Sequence, residues 1–194
     1  MQRGKLRVYI ATSLDGFIAA ADDDLSWLPG VDPDNPGGAP PEPQPESGAL
    51  AFDDFLGELG AVLMGRRTFD VVQGFGGEWP YGELPMLIAT SRELACDRPK
   101  VRPVQGSIRE LVEQALEIAE GKDVYIDGGN LIRQALEAEL IDDLVITQAP
   151  VVLGEGIPLF AGTAHRRRLE TIGHYSFPGG MVQWAQRDFD LRFL

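Results

Sequence analysis

Apolar positions along the chain fall into short strand-like runs that alternate with helical patterns. Such runs predict strands at Leu6–Thr12 and at residues 61–64, 86–90, 124–126 and 144–148. The clearest helical pattern begins at Ser107, because Ser107 and Glu110 form a capping-box sequence and the apolar residues that follow recur on one face. Residues 50–59 and 131–140 are further helix candidates. This alternation predicts an α/β fold with a mostly parallel sheet and flanking helices.

Two other stretches depart from this alternation. Residues 169–175 and 181–193, around an FPGG turn, predict an antiparallel C-terminal hairpin. Residues 29–48 form a Pro/Gly-rich stretch, and seven of the fourteen prolines lie from Pro29 to Pro45. Proline excludes a helix or a central strand there, so we expect a long loop, either a mobile excursion or a lid. No linker separates two halves, and residues 1–194 are predicted to form a single domain.

Two strand-to-helix junctions turn on glycine. They are AVLMGRRTFD, residues 61–70, and VYIDGGNLIRQAL, residues 124–136. A helix that begins directly at a strand end presents unpaired N–H groups and the positive end of its dipole, which suits a phosphate. The first junction adds Arg66, Arg67 and Thr68. Two such junctions predict a ligand with phosphates at two places, and a dinucleotide is the simplest candidate.

Each of these residues also has a purely structural interpretation. Gly128 and Gly129 could form only a tight turn, and Arg66 could pair with an acidic side chain. Arg92, which follows a strand in ATSRE, could hold a 2′-phosphate or be a surface charge. The combination of both junctions with the arginines favours the phosphate hypothesis.

Composition excludes several classes of protein. The net charge of −13 argues against a nucleic-acid surface, which needs basic patches. No apolar run approaches the ~20 residues that span a bilayer, and the N-terminus enters a strand pattern without a signal peptide, so we expect a cytoplasmic protein. The lone Cys96 excludes a disulfide framework and a multi-cysteine metal site. The G-x-G-x-x-G, P-loop, H-E-x-x-H and G-x-S-x-G signatures do not occur, so no metal is expected and any dinucleotide would bind another scaffold.

Five segments, in order, resemble the dihydrofolate reductase-like superfamily: ATSLDGFIA, LMGRRTFD, IATSRE, YIDGGNLIRQAL and LIDDLVITQAPVVLGEGIPLF. The chain is more similar to the reductase domain of bacterial riboflavin biosynthesis and its stand-alone relatives. The resemblance runs from about residue 6 to 193, apart from the Pro-rich stretch. It implies a three-layer fold around a central, twisted, mostly parallel sheet. It also implies NADPH as cofactor and hydride transfer to a heterocyclic or ribosyl-imine substrate.

The resemblance assigns roles to residues motif by motif. It implies that the cofactor phosphates are held by Gly65, Arg66, Arg67 and Thr68. The adenosine 2′-phosphate would lie near Thr90, Ser91 and Arg92. The pyrophosphate and nicotinamide would be cradled by Asp127, Gly128, Gly129, Asn130, Leu131 and Ile132. Substrate would lie near Ser13, Asp15 and Gly16, and near a late loop with Gly154, Glu155 and Gly156. Asp15 would be catalytic by orienting the substrate or the carboxamide, while water delivers the proton.

The chain departs from both parent families. Riboflavin-pathway reductases commonly carry lysine where this chain has Tyr9, and the helix acids Asp53 and Asp54 lie nearer the G-R-x-T motif than the acid of true dihydrofolate reductases. The expected function is a reductase most like 5-amino-6-(5-phosphoribosylamino)uracil reductase. A dihydrofolate reductase and a non-catalytic NADP-binding protein are the alternatives. The family often dimerises, so we expect a homodimer.

Overall fold

Ten strands and four α-helices make up the fold in a computed structural model, which describes residues 3–28, 49–75, 78–162 and 168–188. The strands are β1 (Leu6–Thr12), β2 (Phe17–Ala19), β3 (Leu59–Gly65), β4 (Met86–Ala89), β5 (Val101–Val104), β6 (Asp123–Asp127), β7 (Asp143–Gln148), β8 (Ile157–Pro158), β9 (Leu169–Ser176) and β10 (Val182–Asp188). The helices are α1 (Phe52–Gly57), α2 (Arg66–Gly74), α3 (Ile108–Ile118) and α4 (Gly129–Glu137). A short 3₁₀ turn covers Ala21–Asp23.

Eight of the strands form one sheet in the order β5-β4-β3-β6-β1-β7-β10-β9. The strands from β5 to β7 are mutually parallel, whereas β10 pairs antiparallel with both β7 and β9. The predicted α/β fold, with a mostly parallel sheet and an antiparallel C-terminal hairpin, is confirmed. The remaining strands, β2 and β8, pair separately.

Both faces of the sheet are covered, because successive residues of the inner strands point to opposite sides. Leu63 and Ile126 pack into a core with α3 and α4, and their neighbours Met64 and Tyr125 pack into a second core with α1 and α2. These layers explain the nearly continuous apolar runs in the sequence. Because the strands from β5 to β7 are parallel, their carboxyl ends lie at one edge of the sheet.

Element boundaries differ from the sequence expectations where tertiary contacts decide them. The capping box of Ser107 is confirmed and begins α3. Helix α4 begins two residues earlier than predicted, at Gly129, since the chain turns directly out of β6. Strand β5 was not predicted, because it is short, half-exposed and contains Pro103 at the sheet edge. The Pro-rich stretch 29–48 and residues 189–193 lie outside the described residues.

No helix within the described parts of the chain has the length and apolar surface required to cross a bilayer. Strand β9 is the last strand of the sheet, and its Ile172 side chain is exposed. The expected homodimer stays a prediction.

Candidate active site

A cavity of about 640 Å³ opens where the parallel strands end. Its lining includes Ala11 near the end of β1, Gly65 of β3, Ala89 of β4 and Asp127 of β6. The volume lies within the range of small-molecule sites, and the carboxyl edge is where open α/β sheets bind ligands. The fold therefore brings both predicted glycine junctions to one site.

Two helices begin at this cavity without side-chain caps. The N-cap residues of α2 and α4 are Gly65 and Gly128, and neither helix has a side-chain cap hydrogen bond. By contrast, the first turn of α3 is closed by Ser107 and Glu110. No side-chain cap therefore occupies the first N–H groups of α2 and α4, and their binding of a phosphate stays a prediction.

Packing between the two junctions also requires glycine. Gly128 has a φ of +99°, and a Cβ there would lie 2.7 Å from Thr68 Oγ1. A Cβ on Gly129 would lie 2.6 Å from Ile18 Cδ1. The tight-turn interpretation is therefore correct. The phosphate hypothesis stays a prediction that is compatible with it, because the same glycines allow the two helix N-termini to approach each other.

Three arginines, Arg66, Arg67 and Arg133, line the cavity. Arg66 donates from Nε to Asp70 Oδ1 over 2.7 Å and from Nη1 to Glu93 O over 2.7 Å. Arg67 donates from Nε to Asp23 Oδ2 over 2.6 Å. The expected alternative, an ion pair at Arg66, is thus present. Two positive charges at the start of α2 oppose its dipole, and these carboxylates offset that repulsion as an anionic ligand would.

The predicted 2′-phosphate residues lie beside α2 rather than in the lining of the cavity. Arg92 Nη2 is 3.8 Å from Asp70 Oδ2, and the backbone N–H of Arg92 donates to Thr90 Oγ1 over 3.0 Å. Ser91 is exposed between them. Asp70 therefore lies between Arg66 and Arg92, so the structure brings two of the predicted phosphate-binding arginines to one carboxylate.

Some residues of the second junction line the cavity, and one belongs to the core. The residues of this junction that line the cavity are Asp127, Gly128, Gly129, Asn130 and Leu131. Ile132 is fully buried in the core instead. Its position on the inner face of α4 directs the side chain onto the sheet. That side chain therefore cannot contact a ligand in the cavity.

Asp15 joins two loops. Its carboxylate accepts hydrogen bonds from Ser13 Oγ over 2.6 Å, Gly154 N over 2.8 Å and Leu153 N over 3.2 Å. The hydroxyl of Ser13, followed by the two backbone N–H groups, lowers the pKa of Asp15 to about 2. Asp15 is exposed and is not among the residues that line the cavity. The geometry shows a positioning contact, and its catalytic role stays a prediction.

The late loop shapes the cavity through its backbone. A Cβ on Gly156 would lie 2.2 Å from Ala19 O, so glycine allows this loop to pack against β2. The next residue, Ile157, begins β8 and lines the cavity. Gly16 O accepts from Leu159 N over 3.0 Å, which ties the turn after β1 to the same loop. Gly154 and Glu155 are exposed and do not line the cavity.

An aromatic wall, which sequence reasoning missed, lies along the cavity. Tyr9, Phe52 and Tyr125 line it, with ring centroids 5.4 Å apart for Tyr9–Phe52 and 6.5 Å apart for Phe52–Tyr125. The hydroxyl of Tyr125 donates to Tyr9 O over 2.8 Å. The available signal was the period-two alternation of β1 and β6, which directs Tyr9 and Tyr125 to the same face. Aromatic side chains such as these are usual in the lining of small-molecule sites.

Asp127 places a buried carboxyl next to this wall. Its side chain is on the α1–α2 side of the sheet, the residue is only 8% exposed, and Oδ1 accepts from Gly128 N over 2.7 Å. Burial raises the pKa of Asp127 to about 6, although the Gly128 N–H and the nearby hydroxyls of Tyr125 and Tyr81 act in the opposite direction. Asp53 and Asp54 are exposed on α1. The acid that the structure brings to the cavity is therefore not one of the helix acids.

The sequence model of the family described as RibD C-terminal domain matches residues 79–183, more than half of the chain. The protein therefore belongs to the RibD C-terminal domain family. The match includes the second junction and the late loop, and the first junction precedes it.

Individual proteins are similar to this chain in sequence or in fold. A crystal structure from Shewanella sp. PV-4, provisionally assigned to riboflavin biosynthesis, is 29% identical with a TM-score of 0.78, and the match covers 95% of this chain and 99% of that one. YwjB from Bacillus subtilis (strain 168), which has no assigned function, is 29% identical over 92% of this chain and 95% of its own. Dihydrofolate reductase from Enterococcus faecalis, solved with NADP(H), shares the fold with a TM-score of 0.62 at 15% identity, covering 97% of this chain and 99% of that one.

Proposed function

We propose that the protein is an NADPH-dependent reductase that transfers hydride to a pyrimidine- or pterin-like substrate. The reaction would most resemble that of 5-amino-6-(5-phosphoribosylamino)uracil reductase in riboflavin biosynthesis. One observation carries the proposal: a single cavity contains two uncapped helix N-termini with arginines, and an aromatic wall with a buried carboxyl. Membership of the RibD C-terminal domain family supports it.

The polar residues of the cavity suit the phosphates of a dinucleotide. The N–H groups at the starts of α2 and α4 would bind the pyrophosphate, with Arg66 and Arg67 supplying positive charge. Arg92, beside Asp70, would contact a 2′-phosphate. These contacts fit NADPH, a cofactor that supplies the hydride when bound.

The apolar residues of the cavity suit two flat rings. Tyr9, Phe52 and Tyr125 would contact the substrate ring, and Ile18 and Ile157 add apolar lining to the same cavity. The protein's contribution would be to place the reacting carbon against the nicotinamide and to exclude water, because positioning alone supplies a large part of the rate of such transfers.

Cofactor binding is the first experiment. We would titrate NADPH, and NADH in parallel, while following fluorescence of the three tryptophans and energy transfer to the nicotinamide. Charge-assisted hydrogen bonds contribute about 1.5–3 kcal/mol, so Arg66→Ala should weaken NADPH binding roughly 10- to 100-fold. Arg102→Ala removes an exposed arginine of the edge strand β5 and is the matched control, with unchanged binding expected.

Turnover distinguishes the remaining alternatives. The unmodified protein would be supplied with NADPH and either 5-amino-6-(5-phosphoribosylamino)uracil or dihydrofolate. Oxidation of NADPH with the pyrimidine supports the proposal, and antifolate-sensitive oxidation with dihydrofolate would identify a dihydrofolate reductase. Tight NADPH binding without either reaction would identify a non-catalytic NADP-binding protein. Absence of binding by both nucleotides would overturn the proposal.

A further inference from the structure

Gln183 of β10 is a buried polar side chain that the proposed reaction does not use. It is only 1% exposed, although glutamine ordinarily lies at the surface of a protein. One of its hydrogen-bond partners is Tyr9, which lies on the α1–α2 side of the sheet. A buried amide costs free energy unless its polar atoms are paired, so its partners indicate what the side chain holds in place.

Both polar atoms of the Gln183 amide pair with the backbone of Leu50. Oε1 accepts from Leu50 N over 2.8 Å, and Nε2 donates to Leu50 O over 3.0 Å. These two hydrogen bonds, here called the Leu50 clamp, fix the orientation of the amide, because its rotation by 180° would put donor against donor and acceptor against acceptor. The clamp joins β10 to a segment that lies 133 positions earlier in the chain.

The same amide nitrogen also reaches two hydroxyls. Nε2 is 3.3 Å from Tyr9 Oη and 3.4 Å from Thr147 Oγ1. Tyr9 Oη donates to Leu50 O over 2.9 Å, so Gln183, Leu50 and Tyr9 form a closed set of hydrogen bonds. Tyr9 lines the cavity, and so does Phe52, which follows Leu50 by two residues. The Gln183 amide is therefore connected to two of the three rings of the aromatic wall.

Helix α1 depends on contacts with the rest of the protein. It has only six residues, and its N-cap residue Ala51 makes no side-chain hydrogen bond. A helix this short is not stable by itself, so packing and hydrogen bonds to other elements set its position. Phe55 packs against Tyr9 and Tyr125 at centroid distances of 4.9 and 5.3 Å and anchors the middle of the helix. The amide of Gln183 anchors its start.

We propose that Gln183 is a positioning residue that fixes the aromatic wall for binding of the substrate ring. The proposal rests on the proposed reductase function, because the ring is that of its substrate. Gln183 does not line the cavity and acts through Tyr9 and through Leu50, which precedes Phe52. The wall contacts the ring in the ground state and in the transition state, so the amide contributes to KM rather than to kcat. NADPH affinity depends on the starts of α2 and α4 and not on this amide.

The variant Gln183→Met keeps the length of the side chain but cannot pair with the Leu50 backbone. KM should rise about tenfold, the equivalent of one hydrogen bond, for whichever of 5-amino-6-(5-phosphoribosylamino)uracil and dihydrofolate the unmodified protein reduces. We expect kcat and the NADPH dissociation constant to stay within about twofold. Gln186→Met is the matched control with an unchanged KM, because pairing with Leu144 places Gln186 on the opposite face of β10.

A merely structural role of Gln183 predicts a different result. It would leave less of the protein folded, so the apparent kcat would fall while KM stayed the same. That result would overturn the proposal, as would an equal loss of affinity for substrate and for NADPH.

The variant Gln183→Glu tests the same hydrogen bonds by rescue. A protonated carboxyl offers one donor and one acceptor to Leu50, as the amide does, whereas a carboxylate offers acceptors only. The ratio of the variant's KM to that of the unmodified protein should therefore be near one at acid pH and rise as the carboxyl ionises. Tyr9, the titratable group that contacts this position, stays neutral because burial raises its pKa to about 12. A ratio that does not change with pH would overturn the proposal.

Amide hydrogen exchange tests the clamp without turnover. Leu50 N–H should be protected in the unmodified protein and exchange about tenfold faster in Gln183→Met, whereas Val124 N–H, which donates to Lys5 O, should not change. Rapid exchange of Leu50 N–H in the unmodified protein would overturn the inference. If Leu50 responds as expected but the protein binds NADPH and reduces neither substrate, the proposed function fails, and the role of Gln183 in substrate binding fails with it, while the clamp itself stands.

Discussion

Burial of the Asp127 carboxyl predicts how the free energy of unfolding of this protein depends on pH. Its pKa is about 6 in the folded protein, compared with an ordinary value of 3.8. Between these values the folded protein holds a proton that the unfolded chain releases, so folding is favoured at low pH. The contribution of Asp127 is therefore most favourable below about pH 4 and is lost as the pH rises through 6. The difference of about two pKa units corresponds to about 3 kcal/mol.

Replacement by a neutral side chain of the same shape removes this pH dependence. Asp127→Asn should resemble the unmodified protein only below about pH 4. We expect it to be more stable by about 1 kcal/mol at pH 4.5 and by up to about 3 kcal/mol at pH 8. Any poorer hydrogen bonding by the amide would reduce the gain equally at both pH values. The informative quantity is therefore the change, between the two pH values, in the difference between the unfolding free energies of Asp127→Asn and the unmodified protein.

Equilibrium urea unfolding, followed by tryptophan fluorescence at several pH values, measures this quantity. Subtracting the curve of the unmodified protein cancels the other titrating groups, because they are common to both proteins. Asp53→Asn removes one exposed carboxyl and should show a nearly constant difference. A constant difference for Asp127→Asn, or a larger loss of stability at pH 8 than at pH 4.5, would refute the reasoning.

Three other substitutions test the geometry of the site. Gly128→Ala places a Cβ 2.7 Å from Thr68 Oγ1 at a φ of +99°. Thermal unfolding should therefore show a loss of stability of roughly 1–3 kcal/mol, and NADPH binding should be weaker. An unchanged melting temperature would contradict the packing argument. Asp70→Asn removes the carboxylate 3.8 Å from Arg92, which leaves Arg92 free to pair with a 2′-phosphate. The ratio of the NADH dissociation constant to the NADPH dissociation constant should therefore rise severalfold. An equal change for both nucleotides would argue against a 2′-phosphate site. Asp15→Asn weakens the contact with the late loop, so turnover should fall much more than NADPH affinity, whereas equal losses in both would exclude this positioning role.

Local signals in the sequence were sufficient for the elements that depend on neighbouring residues. The Ser107–Glu110 capping box predicted the start of α3, because both partners lie within one helical turn. The two glycine junctions predicted uncapped helix N-termini for the same reason. The FPGG turn between two strand-like runs predicted the C-terminal hairpin, although the exact ends of the strands depend on their pairing.

The chemistry of the cavity depends on residues that are far apart along the chain. Asp15 contacts Gly154 across 139 positions, and Tyr125 contacts Tyr9 across 116, so no local pattern reports either contact. The family resemblance predicted that Asp127 lies near a cofactor, but only the packing of Tyr81 and Tyr125 around it shows a buried acid.

The sequence by itself therefore determined the class of fold, the two junctions and the arginines beside them. Only the tertiary structure decided that Gly156 of the late loop packs against backbone, that Ile132 belongs to the core and that Asp127 is the buried carboxyl of the cavity. The physical reason is that capping, turns and periodicity act over a few residues, whereas burial and pKa depend on which distant side chains exclude water.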